Sequence, residues 1–162
     1  MFLDLQSMFS GTVAADGTKT GQALTATAIS TNVIDRAGGY VAGFPALEDE
    51  GTNPDEQWLI VSAQTAAAGG DAAKTLTITL ESAADAGLTS GPVVHYSSPA
   101  ILGSAITLGA TLVRIPIPSG DYKRFIGLRF TVSAGFTAFA ILAYITPDPQ
   151  RNVIYPTGFA VS

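Results

Sequence analysis

An all-β fold is what this sequence predicts: an antiparallel jelly-roll sandwich of about eight strands, with short helical turns at most. Three observations lead there. Short runs of alternating apolar and polar residues recur along the chain, clusters of Gly, Pro, Asp and Ser separate them, and no stretch carries the longer period of an amphipathic helix. Leu3 to Phe9 and Glu81 to Leu88 are the only segments suited to a single helical turn.

Taken in order, Ala23 to Ile29 sets Leu24, Ala26 and Ala28 against Thr25 and Thr27, and Asn32 to Arg36 follows after a Ser-Thr link. Gln57 to Ala63 is apolar on both faces and therefore predicted to be central. Thr75 to Glu81 is the cleanest half-buried strand, with Leu76, Ile78 and Leu80 inward and Thr75, Thr77, Thr79 and Glu81 outward. Val93 to Ser97 and Thr111 to Ile117 come next. Pro116 and Pro118 cannot donate to a ladder, so that segment is an edge strand or leaves the sheet.

From Tyr122 to Ile145 two strand-like runs are joined by Ala134-Gly135. Ile126, Leu128, Phe130 and Val132 alternate with polar or small residues, whereas Phe136 to Ile145 is apolar on both faces except at Thr137. That run is too short to cross a bilayer as a helix, which needs about 20 apolar residues. It must be buried by protein, within the domain or against another subunit. A last short strand is expected from Gly158 to Val161.

The chain has 162 residues, enough for one core, and no cysteine for disulfides or thiolate metal sites. We expect residues 1–20 to form an N-terminal arm and first turn, and residues 21–162 a single jelly-roll domain. Charged residues make up 13% of the chain, about half the usual share of roughly 25%. Ala, Thr, Ser and Gly take their place, leaving a neutral exterior suited to being covered by neighbours. The net charge of −5 argues against sequence-independent nucleic-acid binding. Residues 1–100 hold 3 basic and 11 acidic groups, and residues 101–162 hold 5 and 2, which would suit head-to-tail contacts. The first nine residues lack a basic region and their apolar character is broken, so no secretory signal is expected, nor is membrane association.

Candidate chemistry is sparse. His95, the single histidine, lacks a second His or Cys to share a metal and a G-x-S-x-G elbow to serve. A partly solvated strand histidine is the expectation. The acidic stretch Glu48 to Glu56 is the densest set of oxygen ligands, but its spacing is not that of a calcium loop, and it reads as a solvated loop. Lys123, Arg124 and Arg129 form the only local basic group. Strand alternation puts Arg129 on the face of Lys123 and opposite Arg124, so they do not make one patch; ordinary strand-entry charges or intersubunit ion pairs are the readings. Trp58, Tyr40, Phe44, Tyr155 and Phe159 show no spacing of a sugar-stacking platform and read as core. No catalytic residue, metal or cofactor is expected.

Several segments resemble those of tailed-bacteriophage capsid cement (decoration) proteins of the type described for a Bordetella phage. They are Ala26-Thr-Ala-Ile-Ser-Thr-Asn-Val-Ile-Asp35, Arg124-Phe-Ile-Gly-Leu-Arg-Phe-Thr-Val132, Phe136-Thr-Ala138 and the exit Pro147-Asp148-Pro149-Gln150. Their order spans residues 20 to 150, while the stretches Ala37 to Glu56 and Gln64 to Lys74 are bulkier than that pattern. The resemblance implies a jelly-roll subunit that forms a homotrimer, is made in the host cytoplasm, and binds major capsid proteins on the outer surface of the virion. Phe2, Leu3, Leu5, Met8 and Phe9 of the arm, loops at one end of the sandwich, and Lys123, Arg124 and Arg129 are the expected capsid or subunit contacts. A carbohydrate- or receptor-binding sandwich of adhesin or fibre-head type is the alternative, since jelly rolls host that function too. An enzyme is not expected.

Overall fold

A computed structural model describes residues 7–14, 16–36 and 57–147. Thirteen strands are present among them: β1 (Met8–Ser10), β2 (Thr12–Val13), β3 (Lys19–Thr20), β4 (Gln22–Ala23), β5 (Ala28–Ile29), β6 (Ile34–Asp35), β7 (Trp58–Thr65), β8 (Thr75–Ala83), β9 (Val93–Ser97), β10 (Ile101–Leu102), β11 (Thr111–Pro116), β12 (Phe125–Val132) and β13 (Ala140–Thr146). Short 3-10 turns occur at Gly69–Asp71 and Gly103–Ala105. Among the described residues no helix is long and apolar enough to cross a membrane.

Every pairing within the sheets is antiparallel. In one sheet β7 and β13 are central, β11 forms one edge, and β1 and β4 share the other. In the second, β8 and β12 are central, β9 and β10 share one edge, and β5 and β6 the other. Counting each shared edge as one strand gives two four-stranded sheets in the order 1-8-3-6 facing 2-7-4-5, which is jelly-roll connectivity. The β2–β3 hairpin stands apart as its own small ladder.

Alternation explains the core. Leu59, Val61, Ala63, Ile141, Ala143 and Ile145 from the first sheet meet Leu76, Ile78, Leu80, Ile126, Leu128 and Phe130 from the second. The intervening residues of β7 and β13 point the other way, and there Ile60, Leu142 and Tyr144 join Met8 in a second apolar cluster, with Val13 and Trp58 packed on it. Strand β13 is therefore apolar on both faces because both faces of the first sheet are covered. Gly11 (φ +93°) lets the chain pass there: an added Cβ would fall 2.6 Å from Leu142 Cδ1 and 2.7 Å from the Thr20 carbonyl.

Some expectations are corrected. Ala23 to Ile29 is not one alternating strand: Thr25 to Thr27 bend outward between β4 and β5, and only Leu24 of the series is fully buried. The run Phe136 to Ile145 becomes strand only at Ala140, because Phe136 and Phe139 turn into the core from a loop. That loop carries the chain from one sheet to the other, so β12 and β13 do not pair. Glu81 is 4% exposed rather than outward in solvent. The suggested helical turns are shorter than expected: Ser7 is 3-10 but Met8 and Phe9 are strand, and Glu81 to Ala83 continue β8 before a single turn closed by the Leu88 N–H on the Asp85 carbonyl at 3.1 Å. The final strand at Gly158 to Val161 lies outside the described residues.

Candidate docking surface

Four connections meet at one end of the sandwich: residues 24–27, 66–74, 103–110 and 133–139. They are locked to one another. The buried Asp71 carboxylate accepts the backbone N–H of Thr137 at 2.7 Å and its hydroxyl at 3.2 Å, and ion-pairs with Lys74 at 2.6 Å. Lys74 also donates to the Gly135 carbonyl, and its own carbonyl accepts the Gly103 N–H at 2.7 Å. The Lys74 hydrogen bond, with those from Thr137, holds the Asp71 carboxyl below the ordinary aspartate value. Glycine is required at two points of closest approach: a Cβ on Gly103 would sit 2.1 Å from the Asp71 carbonyl, and one on Gly135 2.3 Å from that of Thr25.

The exposed side of these loops carries no charge. Thr25, Ala26, Thr27, Gly69, Gly70, Ala72, Ala73, Ser104, Ala105, Thr107, Gly109, Ala134 and Ala138 face solvent, and the two ionic residues, Asp71 and Lys74, neutralise each other. Leu108 is 75% exposed. It occupies the second position of a turn closed by the Ala110 N–H on the Thr107 carbonyl at 3.0 Å, with Gly109 at φ +77° in the third. Ala and Gly lose no rotamer freedom when covered, so this end can be buried at low entropic cost.

The opposite end is charged. The Arg124 guanidinium grips Asp35 with two hydrogen bonds of 2.9 Å and lies 4.8 Å from the centre of the Phe125 ring. Hydrogen bonding to that carboxylate raises Arg124 still further above its ordinary pKa. Arg36 donates to the Tyr122 carbonyl, and Lys123 to that of Gly91. Arg129 lies away from both, on β12, its Nε 3.1 and 3.0 Å from the two Glu81 oxygens and its Nη2 2.7 Å from the Leu88 carbonyl. The three expected basic contacts are thus dispersed, each bonded to a partner in its own chain.

The apolar arm is placed differently from expectation. Phe9 is fully buried in the main core and Met8 in the second cluster, because β1 completes an edge of the first sheet. Both side chains are consumed within the domain, and the jelly roll takes in residues that the sequence suggests for a free arm. Phe2, Leu3 and Leu5 lie outside the described residues, as do the acidic stretch 48–56 and Tyr40, Phe44, Tyr155 and Phe159. Trp58 is half-buried on β7.

His95 sits where the β8–β9 register shifts, and the bulge aims its ring at the Ser82 hydroxyl, 2.7 Å from Nε2. Tyr122 stacks on the imidazole with centroids 3.8 Å apart and planes at 23°. Burial lowers its pKa from the ordinary 6.5. A hydroxyl on an imidazole is the geometry of an activated nucleophile. Ser82, however, is fully buried, and its oxygen also accepts the Lys123 N–H at 3.0 Å. The arrangement ties β8, β9 and the 117–124 connection together. Among the described residues no three His, Asp or Glu side chains are grouped to hold a metal ion. The sequence gives no sign of Ser82 or Asp71 as organising residues, since both depend on contacts more than 10 residues apart.

Residues 18–145, more than three quarters of the chain, match the protein family described as Bbp16. The chain belongs to the Bbp16 family. That name is the name of a Bordetella phage protein, which is consistent with a phage protein here. The Bbp16 match starts after β1 and β2 and takes in both central strand pairs and all four connections of the uncharged end. No curated protein matches the chain.

Proposed function

We propose that this chain is a structural virion protein: a trimeric cement protein that binds the outside of a phage head and stabilises contacts between neighbouring major capsid proteins. The observation that carries this reading is the Bbp16 match across nearly the whole jelly roll. It agrees with the order of segments that resemble phage cement proteins. The physical support is a close-packed body whose one loop end is rigid, uncharged and built of small residues. Such a module works by being covered. Interfaces of about 1,600 Å² are typical of stable contacts, and several per assembly reinforce one another through multivalency. The role is mechanical and calls on no catalytic residue or cofactor.

The test is sedimentation of the purified protein with phage heads that lack it. Saturable binding at a fixed ratio, with heads that then resist heating better, is the expected result. Protein that stays in the supernatant at every concentration defeats the proposal.

A further inference from the structure

We propose that Ser82, His95 and Tyr122 form a proton-operated latch, which holds the 117–124 connection against β8 at neutral pH and releases it in acid. The device is separate from the mechanical role proposed above and operates within a single chain.

Hydrogen-bond accounting fixes the closed state. A serine hydroxyl has one proton to give and two lone pairs. The Lys123 N–H can only donate, so at 3.0 Å it takes one lone pair of Ser82 Oγ. The hydroxyl proton is left for His95 Nε2 at 2.7 Å, which requires a neutral ring carrying its own proton on Nδ1. Tyr122 covers one face of that ring, with centroids 3.8 Å apart, and donates its hydroxyl to the Pro118 carbonyl at 2.7 Å. Gly120 lies along the opposite nitrogen, where a Cβ would stand 3.4 Å from Nδ1. The connection is thus folded onto the imidazole.

A protonated ring can only donate from Nε2. Ser82 Oγ would then receive two donors, and its own proton, in a fully buried site, would lose its acceptor. No carboxylate answers the new charge. From β8 the nearest acid is Glu81, bound to Arg129; from the 84–92 connection it is Asp85, taken up by Thr89 and Ser90. The 117–124 connection brings exposed Asp121 and Lys123 beside Tyr122, Arg36 donates to the Tyr122 carbonyl, and β9 itself adds Tyr96. Among the described residues the ring's hydrogen bond is to Ser82 alone. The ring can leave without breaking the ladder: pairing passes from Tyr96 to Val94, so His95 is the bulged residue, and its side chain is half-buried. Once it swings into solvent, Tyr122 loses its stacking partner and the connection loosens from Ser82. Burial disfavours the charged ring in the closed state, so closure is fully favoured above the ordinary 6.5 and is lost as pH falls.

Nuclear magnetic resonance of the full chain, with amide exchange followed against pH, tests the latch. Above pH 6.5 the His95 nitrogens are expected to report a neutral ring protonated at Nδ1. Below it, protection of the Lys123 amide, corrected for its intrinsic exchange rate, should fall by up to about tenfold per pH unit, the slope of one linked proton. The Thr137 amide at the other end of the sandwich should keep its protection, because its acceptor Asp71 is held below the ordinary aspartate value and stays ionised through this range. In His95→Gln, which cannot take up the proton, the loss at Lys123 should vanish. A ring protonated at Nε2, a Lys123 amide that stays protected while His95 titrates, equal losses at Lys123 and Thr137, or a loss that persists in His95→Gln would each overturn the proposal. Should His95→Gln fail to fold, the contrast between the two amides in the wild type decides alone.

Discussion

Glu81 and Arg129 show how much one side chain can change meaning between pattern and fold. By alternation both belong on the outer face of their sheet, and β8 and β12 do pair so that Thr79 lies opposite Arg129 and Glu81 opposite Gly127. Leu88 packs over that glycine, and the carboxylate lies in a site closed by Arg129, the Thr79 hydroxyl at 2.7 Å and the Leu88 loop. Arg129→Leu strands that carboxylate, so we expect a loss of about 3 kcal/mol in chemical denaturation; a change within about 0.5 kcal/mol would show the pair to be solvated. Ser10 is the opposite case. Its hydroxyl is the one buried side-chain polar group without a hydrogen-bond partner among the described residues. Ser10→Ala is expected to raise stability by about 1 kcal/mol, and a lowered melting temperature would reveal a bond to that hydroxyl. His95 supplies a pH dependence. Its folded pKa lies below 6.5 because the ring is buried against Tyr122, so the unfolded chain takes up the proton first. Its contribution is complete above pH 6.5 and declines as pH falls from there through the folded value. Melting temperature should therefore fall on acidification through this range, and fall less in His95→Gln. Equal slopes for the two proteins would exclude His95 as the cause.

At the scale of elements, the strands with long uninterrupted patterns were legible. Leu76, Ile78 and Leu80 face inward as their spacing requires, Trp58 to Thr65 is central, and the prolines after Arg114 do mark an edge. What the pattern could not show is where an element is broken. Thr25 to Thr27 alternate acceptably with Ala26, yet they bend because Leu24 and Ala28 serve different sheets. Phe136 and Phe139 have strand-like sequence, yet Asp71, distant in the chain, holds the backbone of Thr137 in a loop. The uncharged end was legible only as a placement of loops at one end of the sandwich; its lack of charge emerges when four separate segments converge. Strand β1 shows the cost of the same blindness at the terminus. Met8 and Phe9 look like an arm, but their two faces fill two apolar clusters. Phe9→Ala should lose about 3–5 kcal/mol. Unchanged stability would return the segment to the role of a dispensable arm.

For the molecule as a whole, the sandwich separates two kinds of surface. Ionic groups close the end around Asp35, Arg36, Lys123 and Arg124, while the other end is left to small neutral residues and Leu108. The edges of the sheets have a consequence of their own. Three of the four are made of two short strands with a gap between them, and a bulge at His95 interrupts β9 further. The fourth, β11, ends at Pro116. Among the described residues none offers a long ribbon of vacant amide and carbonyl groups on which a further chain could template itself. The protein can therefore be concentrated without running into fibres. Seeded, concentrated solutions should stay clear and fail to bind thioflavin; elongation at the β9–β10 margin would show that the interruptions do not protect it.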